Sequence, residues 1–91
     1  MTPDPTLPVF NLNGTNPENV QREYKRLRKL IRETRDALAE ATCHGRDFQF
    51  QEQSEFHKAQ DERRAMFLHL DQLQHYAEAW ELHAHGSMPK S

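Results

Sequence analysis

The chain has 91 residues, of which only 35% are apolar and 29% charged, with a mean hydropathy of −1.02. That is one domain at most, and a lone copy has material for only a thin core, so self-association is the first expectation. A formal charge of −2 and a pI near 6.3 argue against a dedicated DNA-coating protein, which carries a strong basic excess, and no apolar run approaches the about 20 residues that cross a bilayer.

The start, Met1-Thr2-Pro3-Asp4-Pro5, has no basic segment followed by an apolar one, so no secretory leader is expected. The single Cys43 has no intrachain disulfide partner, which suits a reducing cytoplasm, and only His44 stands beside it to activate it, so an inert thiol is expected. Residues 1–15 carry Pro3, Pro5 and Pro8 and predict an extended arm docked through Leu7, Val9, Phe10 and Leu12. Asn16-Pro17-Glu18 then signals a helix start. Asn16 can accept from an otherwise unpaired amide, Pro17 suits the first helical position, and Glu18 complements the positive helix end.

Helix one is expected over residues 16–44, with an apolar stripe at Val20, Tyr24, Leu27, Ile31, Thr34, Leu38 and Ala41. Gly45, in a left-handed conformation, is expected to stop it, with a turn over 45–50. Helix two is expected over 51–85, on a stripe of Phe56, Ala59, Arg63, Met66, Leu70, Leu73, Ala77, Trp80 and Ala84, followed by a frayed tail at 86–91. Two helices joined by a short turn pack antiparallel, so the fold class is all-α, one long antiparallel helical hairpin with an extended amino-terminal arm. A turn centred near Phe48 pairs Ile31 with Met66, Leu27 with Leu70, Tyr24 with Leu73 and Thr34 with Arg63, and makes Phe10 a neighbour of Trp80. Leu30, Phe67, Leu68, Tyr76 and Leu82 fall outside both stripes and need another surface, which points to a homo-oligomeric helical bundle.

The chemistry-bearing residues exclude more than they offer. His69 and His75 diverge on a helix, as do His83 and His85, and no HExxH occurs, so no metal is expected. There is no GxSxG elbow and no glycine-rich phosphate loop; an enzyme is not expected, nor a cofactor. Charge is more informative. Arg22, Lys25, Arg26, Arg28, Lys29, Arg32 and Arg35 crowd helix one against Glu23, Glu33 and Asp36, whereas helix two is acidic, so part of the basic excess can pair across the hairpin or between copies. The first turns of the basic helix lie beside the Asn13-Gly14-Thr15 bend and Phe10. Amide donors, cations and a stacking ring in one place suit a nucleotide.

Two segments, Phe10-Asn11-Leu12-Asn13-Gly14-Thr15-Asn16-Pro17 leading into helix one and His44-Gly45-Arg46-Asp47-Phe48 at the turn, resemble the phage anti-CBASS cyclic-nucleotide sponges, whose hairpin domain is shared with an anti-Thoeris sponge. The resemblance covers most of residues 9–85 and departs from the family pattern at Gln49-Phe50-Gln51, where relatives tend to carry a tyrosine and a proline. It implies a homohexamer in the host cytoplasm that binds cyclic dinucleotides or trinucleotides between protomers and releases them unchanged, starving an antiphage effector of its signal. Aromatic side chains would take the bases, and lysine, arginine and threonine the phosphates. The matching residues are Phe10, Thr15, Tyr24, Lys25 and Arg28, with Arg63 and Arg64 as further candidates.

Each has a plainer role: Phe10 as an arm anchor, Thr15 as a cap, Tyr24 as core, Arg63 as a paired arginine inside an apolar stripe. The alternative to a sponge is a small helical adaptor or inhibitor that grips a host protein through exposed helix faces, and nucleic-acid binding by helix one is disfavoured by the acidic second helix.

Overall fold

The computed structural model describes residues 4–10, 14 and 16–87, and within them the chain is all-helical, built from α1 (Pro17–Glu40), a 3-10 turn (Gly45–Phe48) and α2 (Gln53–Gly86). Leu12 and Thr15 lie outside the described residues. Asn16 begins α1 by accepting the Glu18 amide on Oδ1 at 2.8 Å, with Pro17 where a missing N–H costs nothing and Glu18 in the first turn.

The end of α1 differs from the sequence expectation. The helix stops at Glu40, Ala41 is extended (φ −66°, ψ 130°), and none of the described residues, Gly45 included, has a positive φ. The Ala41 amide bonds back to the Ala37 and Leu38 carbonyls, and a further cap comes from the other helix. Arg63 donates from Nη2 to the carbonyls of Leu38 at 2.5 Å and Ala39 at 3.1 Å, where the last turn carries no basic residue of its own. Gly45 lies against the Phe56 ring, where a Cβ would stand in ordinary contact at 3.4 Å.

α1 and α2 run antiparallel, as Gln21 meets His85, Arg28 meets Glu81 and Arg35 meets Asp71. The register is not the expected one. Tyr24 lies against Trp80, seven positions beyond Leu73, a slide of about 10 Å at 1.5 Å per residue. Seven residues are close to two helical turns, so the slide keeps the same stripes face to face. Its cause is the connection. The first turns of α2 pack on the 3-10 segment, with the Phe48 and Phe56 rings 5.6 Å apart, and α2 runs past the end of α1 before the helices meet. Within those stripes Thr34, Met66 and Leu73 are nevertheless exposed while Arg35 and Phe67 are half-buried at the seam, and Thr34 bonds back to Leu30 within its own helix.

The core is slight. Val20, Ile31, Ala77 and Ala84 are the buried apolar residues, and no large side chain is fully buried among those described. The surface is 7498 Å², against about 5,500 Å² for a compact monomer of this mass. The radius of gyration is 18.9 Å against about 12 Å for a compact chain of this length, which makes the molecule a rod of 63 × 24 × 18 Å. Leu30, Met66, Leu68, Leu73, Tyr76 and Leu82 all remain exposed along it. No helix of the described residues is long and apolar enough to cross a membrane.

Candidate functional site

The start of α1 and the last turns of α2 meet at one end of the rod, and three aromatic side chains gather there. Tyr24 and Trp80 stack with centroids 5.1 Å apart and planes 12° apart, and Tyr76, one turn before Trp80, tilts toward both at 6.2 and 6.1 Å. Beside them opens a cleft of about 250 Å³ lined by Glu23, Tyr24, Leu27 and Tyr76. The i, i+4 spacing of Tyr76 and Trp80 is what lets both rings reach Tyr24 from one helix. Burial first, then the Tyr76 hydroxyl and the Glu23 carboxylate, raises the Tyr24 phenol above its ordinary value of 10.0, so it is a neutral hydrogen-bonding group at physiological pH.

The cations of α1 divide into two sets. Arg28, one turn after Tyr24, is held by Glu81 at 2.6 Å and Glu78 at 3.5 Å, and the Glu81 hydrogen bond raises its already high pKa further. An incoming phosphate must therefore compete with two carboxylates for Arg28. Arg22, Lys25, Arg26 and Lys29 are exposed and form no ion pair among the described residues; spaced at three and four, they make a stripe on the outer side of α1. Lys25 adjoins Tyr24 in sequence and is the free cation nearest to the aromatic group along the helix. Two N–H donors beside that group, Arg28 Nε and Trp80 Nε1, are shielded from solvent and have no acceptor among the described residues. Such groups carry a desolvation cost that an acceptor-rich guest offsets.

Phe10 reaches the same end of the rod by way of the arm, with its ring 5.7 Å from that of His83, one turn beyond Trp80. Its ring contact is with His83, one turn from the Trp80 that the sequence register made its neighbour. Pro5, Pro8 and Phe10 are half-buried, whereas Leu7 and Val9, expected to anchor the arm, are exposed. Thr15 cannot be placed, lying outside the described residues.

Arg63 and Arg64 belong to the other end. Arg63 caps α1 and lies over the Phe67 ring at 5.7 Å; Arg64 is exposed and pairs with Asp61 one turn earlier at 3.1 Å. Seventeen residues of α2 separate Arg63 from Trp80, about 25 Å at 1.5 Å per residue, so within one chain they do not share a site with Tyr24, Lys25 and Phe10.

Sequence reasoning placed Trp80 in the stripe beside Phe10 and Tyr76 outside it, but assigned neither of them, nor Glu81 or His83, to the site. The aromatic pair was legible as Tyr76 and Trp80 at helical spacing; the carboxylate clamp and the histidine contact depend on register and were not. Comparison with known protein families, with curated proteins and with solved structures finds no match for this chain.

Proposed function

We propose that the chain sequesters cyclic oligonucleotides, dinucleotides or trinucleotides, by binding them without altering them, and that it works as an assembly of several copies in which the rods cover one another's apolar faces. The observation that carries this reading is the aromatic group of Tyr24, Tyr76 and Trp80, at the end of the rod where the arm brings Phe10, in the stretch of α1 whose outer side carries the free cations Arg22, Lys25 and Arg26. Flat bases need rings and apolar walls; the phosphates that join them need cations with no prior partner. One face of Tyr24 is already covered by Trp80, so a base would use its other face or the exposed Tyr76. The Glu23 carboxylate lines the cleft and repels phosphate from it, so the cleft suits a base better than a phosphate.

The six-copy assembly and the immune-evasion role follow from the resemblance to anti-CBASS sponges and are part of this proposal. Titration calorimetry with cyclic GMP-AMP, a cyclic dinucleotide panel and a cyclic trinucleotide tests it. Saturable heat and recovery of intact nucleotide after denaturation are expected. No heat with any member removes the binding claim, and recovery of a cleaved nucleotide removes the claim that no reaction occurs.

A second reading has its own support. Leu68 and Leu82, 57% and 68% exposed, and Leu30 lie on helix surfaces that the partner helix leaves open, as an adaptor gripping a protein partner would present them. A single host protein captured in stoichiometric amounts, with no nucleotide bound, would favour it.

A further inference from the structure

The arm is held by a single described polar contact. Among the described residues no backbone hydrogen bond joins residues 4–10 to the helices, and Pro5 and Pro8 have no N–H with which to form one. What ties the arm down is His83, whose Nε2 lies 2.5 Å from the Pro8 carbonyl oxygen and whose ring lies against Phe10 at 5.7 Å. A carbonyl only accepts, so Nε2 carries the proton, and the tautomer of His83 is fixed by this contact. His83 is itself set by its place in α2, half-buried beside the fully buried Ala84. One imidazole thus holds the arm on both sides of Val9, by a hydrogen bond at Pro8 and by ring contact at Phe10. Val9 between them is 89% exposed and contributes no anchorage.

We propose that His83 is the positioning residue of the arm: it fixes Pro8 and thereby sets where the Phe10 ring stands relative to the Tyr24–Trp80 pair. The consequence for ligand affinity rests on the functional reading above; the consequence for the arm does not.

The test pairs His83→Ala with His83→Gln, whose amide nitrogen can take the place of Nε2, and reads the arm by chymotrypsin. The bond after Phe10 is cut only when the arm leaves α2. The bond after Phe50, 93% exposed at the far end of the rod, is the internal reference. Loss of a hydrogen bond of ordinary net strength raises the undocked population about fivefold, and cleavage after Phe10 with it. His83→Ala is therefore expected to speed that cut about fivefold relative to the cut after Phe50, with helicity by circular dichroism unchanged, and His83→Gln is expected to restore the parent rate. Affinity for cyclic GMP-AMP should fall by a similar factor in His83→Ala. It should fall no further when His83→Ala is added to Phe10→Ala, because both act through one ring.

An unchanged cleavage ratio in His83→Ala overturns the proposal, as does a released arm with unaltered affinity. A parent chain that binds no cyclic nucleotide overturns the functional reading instead, and the cleavage ratio alone then decides whether His83 holds the arm.

Discussion

Arg63→Ala is the substitution whose cost the structure fixes most fully. Arg63 reaches across from α2 to the Leu38 and Ala39 carbonyls, and α1 has neither a glycine cap nor a basic residue in its last turn to replace it. A hydrogen bond from a charged donor contributes about 1.5–3 kcal/mol, and the lower figure applies here because the site is half-open and water can take over part of the load. The positive charge at the negative end of α1 adds about 0.5 kcal/mol, and the guanidinium over Phe67 adds about 0.5 kcal/mol more. The total is about 2.5 kcal/mol, which for a domain of this size lowers the melting temperature by roughly 10–20 °C. Arg63→Lys keeps the charge but not the planar fork, and should lose about half as much. Thermal melts of the three proteins at one concentration make the comparison, since any self-association makes the midpoint depend on concentration. An Arg63→Ala melt within about 3 °C of the parent would refute the cross-helix cap as an energetic feature.

Lys25→Ala should weaken cyclic nucleotide binding by about 1.5–3 kcal/mol, the cost of one charge-assisted phosphate contact, while the mass in solution stays the same; an unchanged affinity clears Lys25 of that role. Arg28→Ala should weaken binding less than Lys25→Ala, because Glu78 and Glu81 already engage Arg28, and the reverse order in calorimetry would move the phosphate contact to Arg28. Tyr24 carries a pH signature. Its phenol is raised above 10.0 in the folded chain, so its contribution to stability is whole below pH 10 and is lost as pH rises through the folded value. Melting midpoints measured across this alkaline range should therefore fall more steeply for the parent than for Tyr24→Phe, which keeps the ring stack; parallel curves would contradict the assignment.

The helical class, the Asn16 start and the apolar character of the seam were legible because they depend on local chemistry and on period. The relative slide of the helices was not, because a stripe that repeats at three and four matches itself again after seven residues. The path of the connection, with Phe48 packed on Phe56, and the cross-helix pairs of Arg28, Arg35 and Arg63 distinguish the two registers. That slide has large consequences for the site. It brings Trp80 to Tyr24 and places Glu78 and Glu81 on Arg28. Gly45 shows a different limit. A glycine after a helix signals a left-handed cap in sequence, but here α1 ends at Glu40 on an extended Ala41, and Arg63 adds a cap from a distance in the chain that no local pattern spans.

Among the described residues the single rod buries only four apolar side chains and leaves Leu30, Leu68, Leu73 and Leu82 open to water. Sedimentation velocity at micromolar concentration tests this most directly. One species at a several-fold multiple of 10.8 kDa, with a compact frictional ratio, is expected. A cooperatively folded species at 10.8 kDa itself, persisting on dilution, would contradict it.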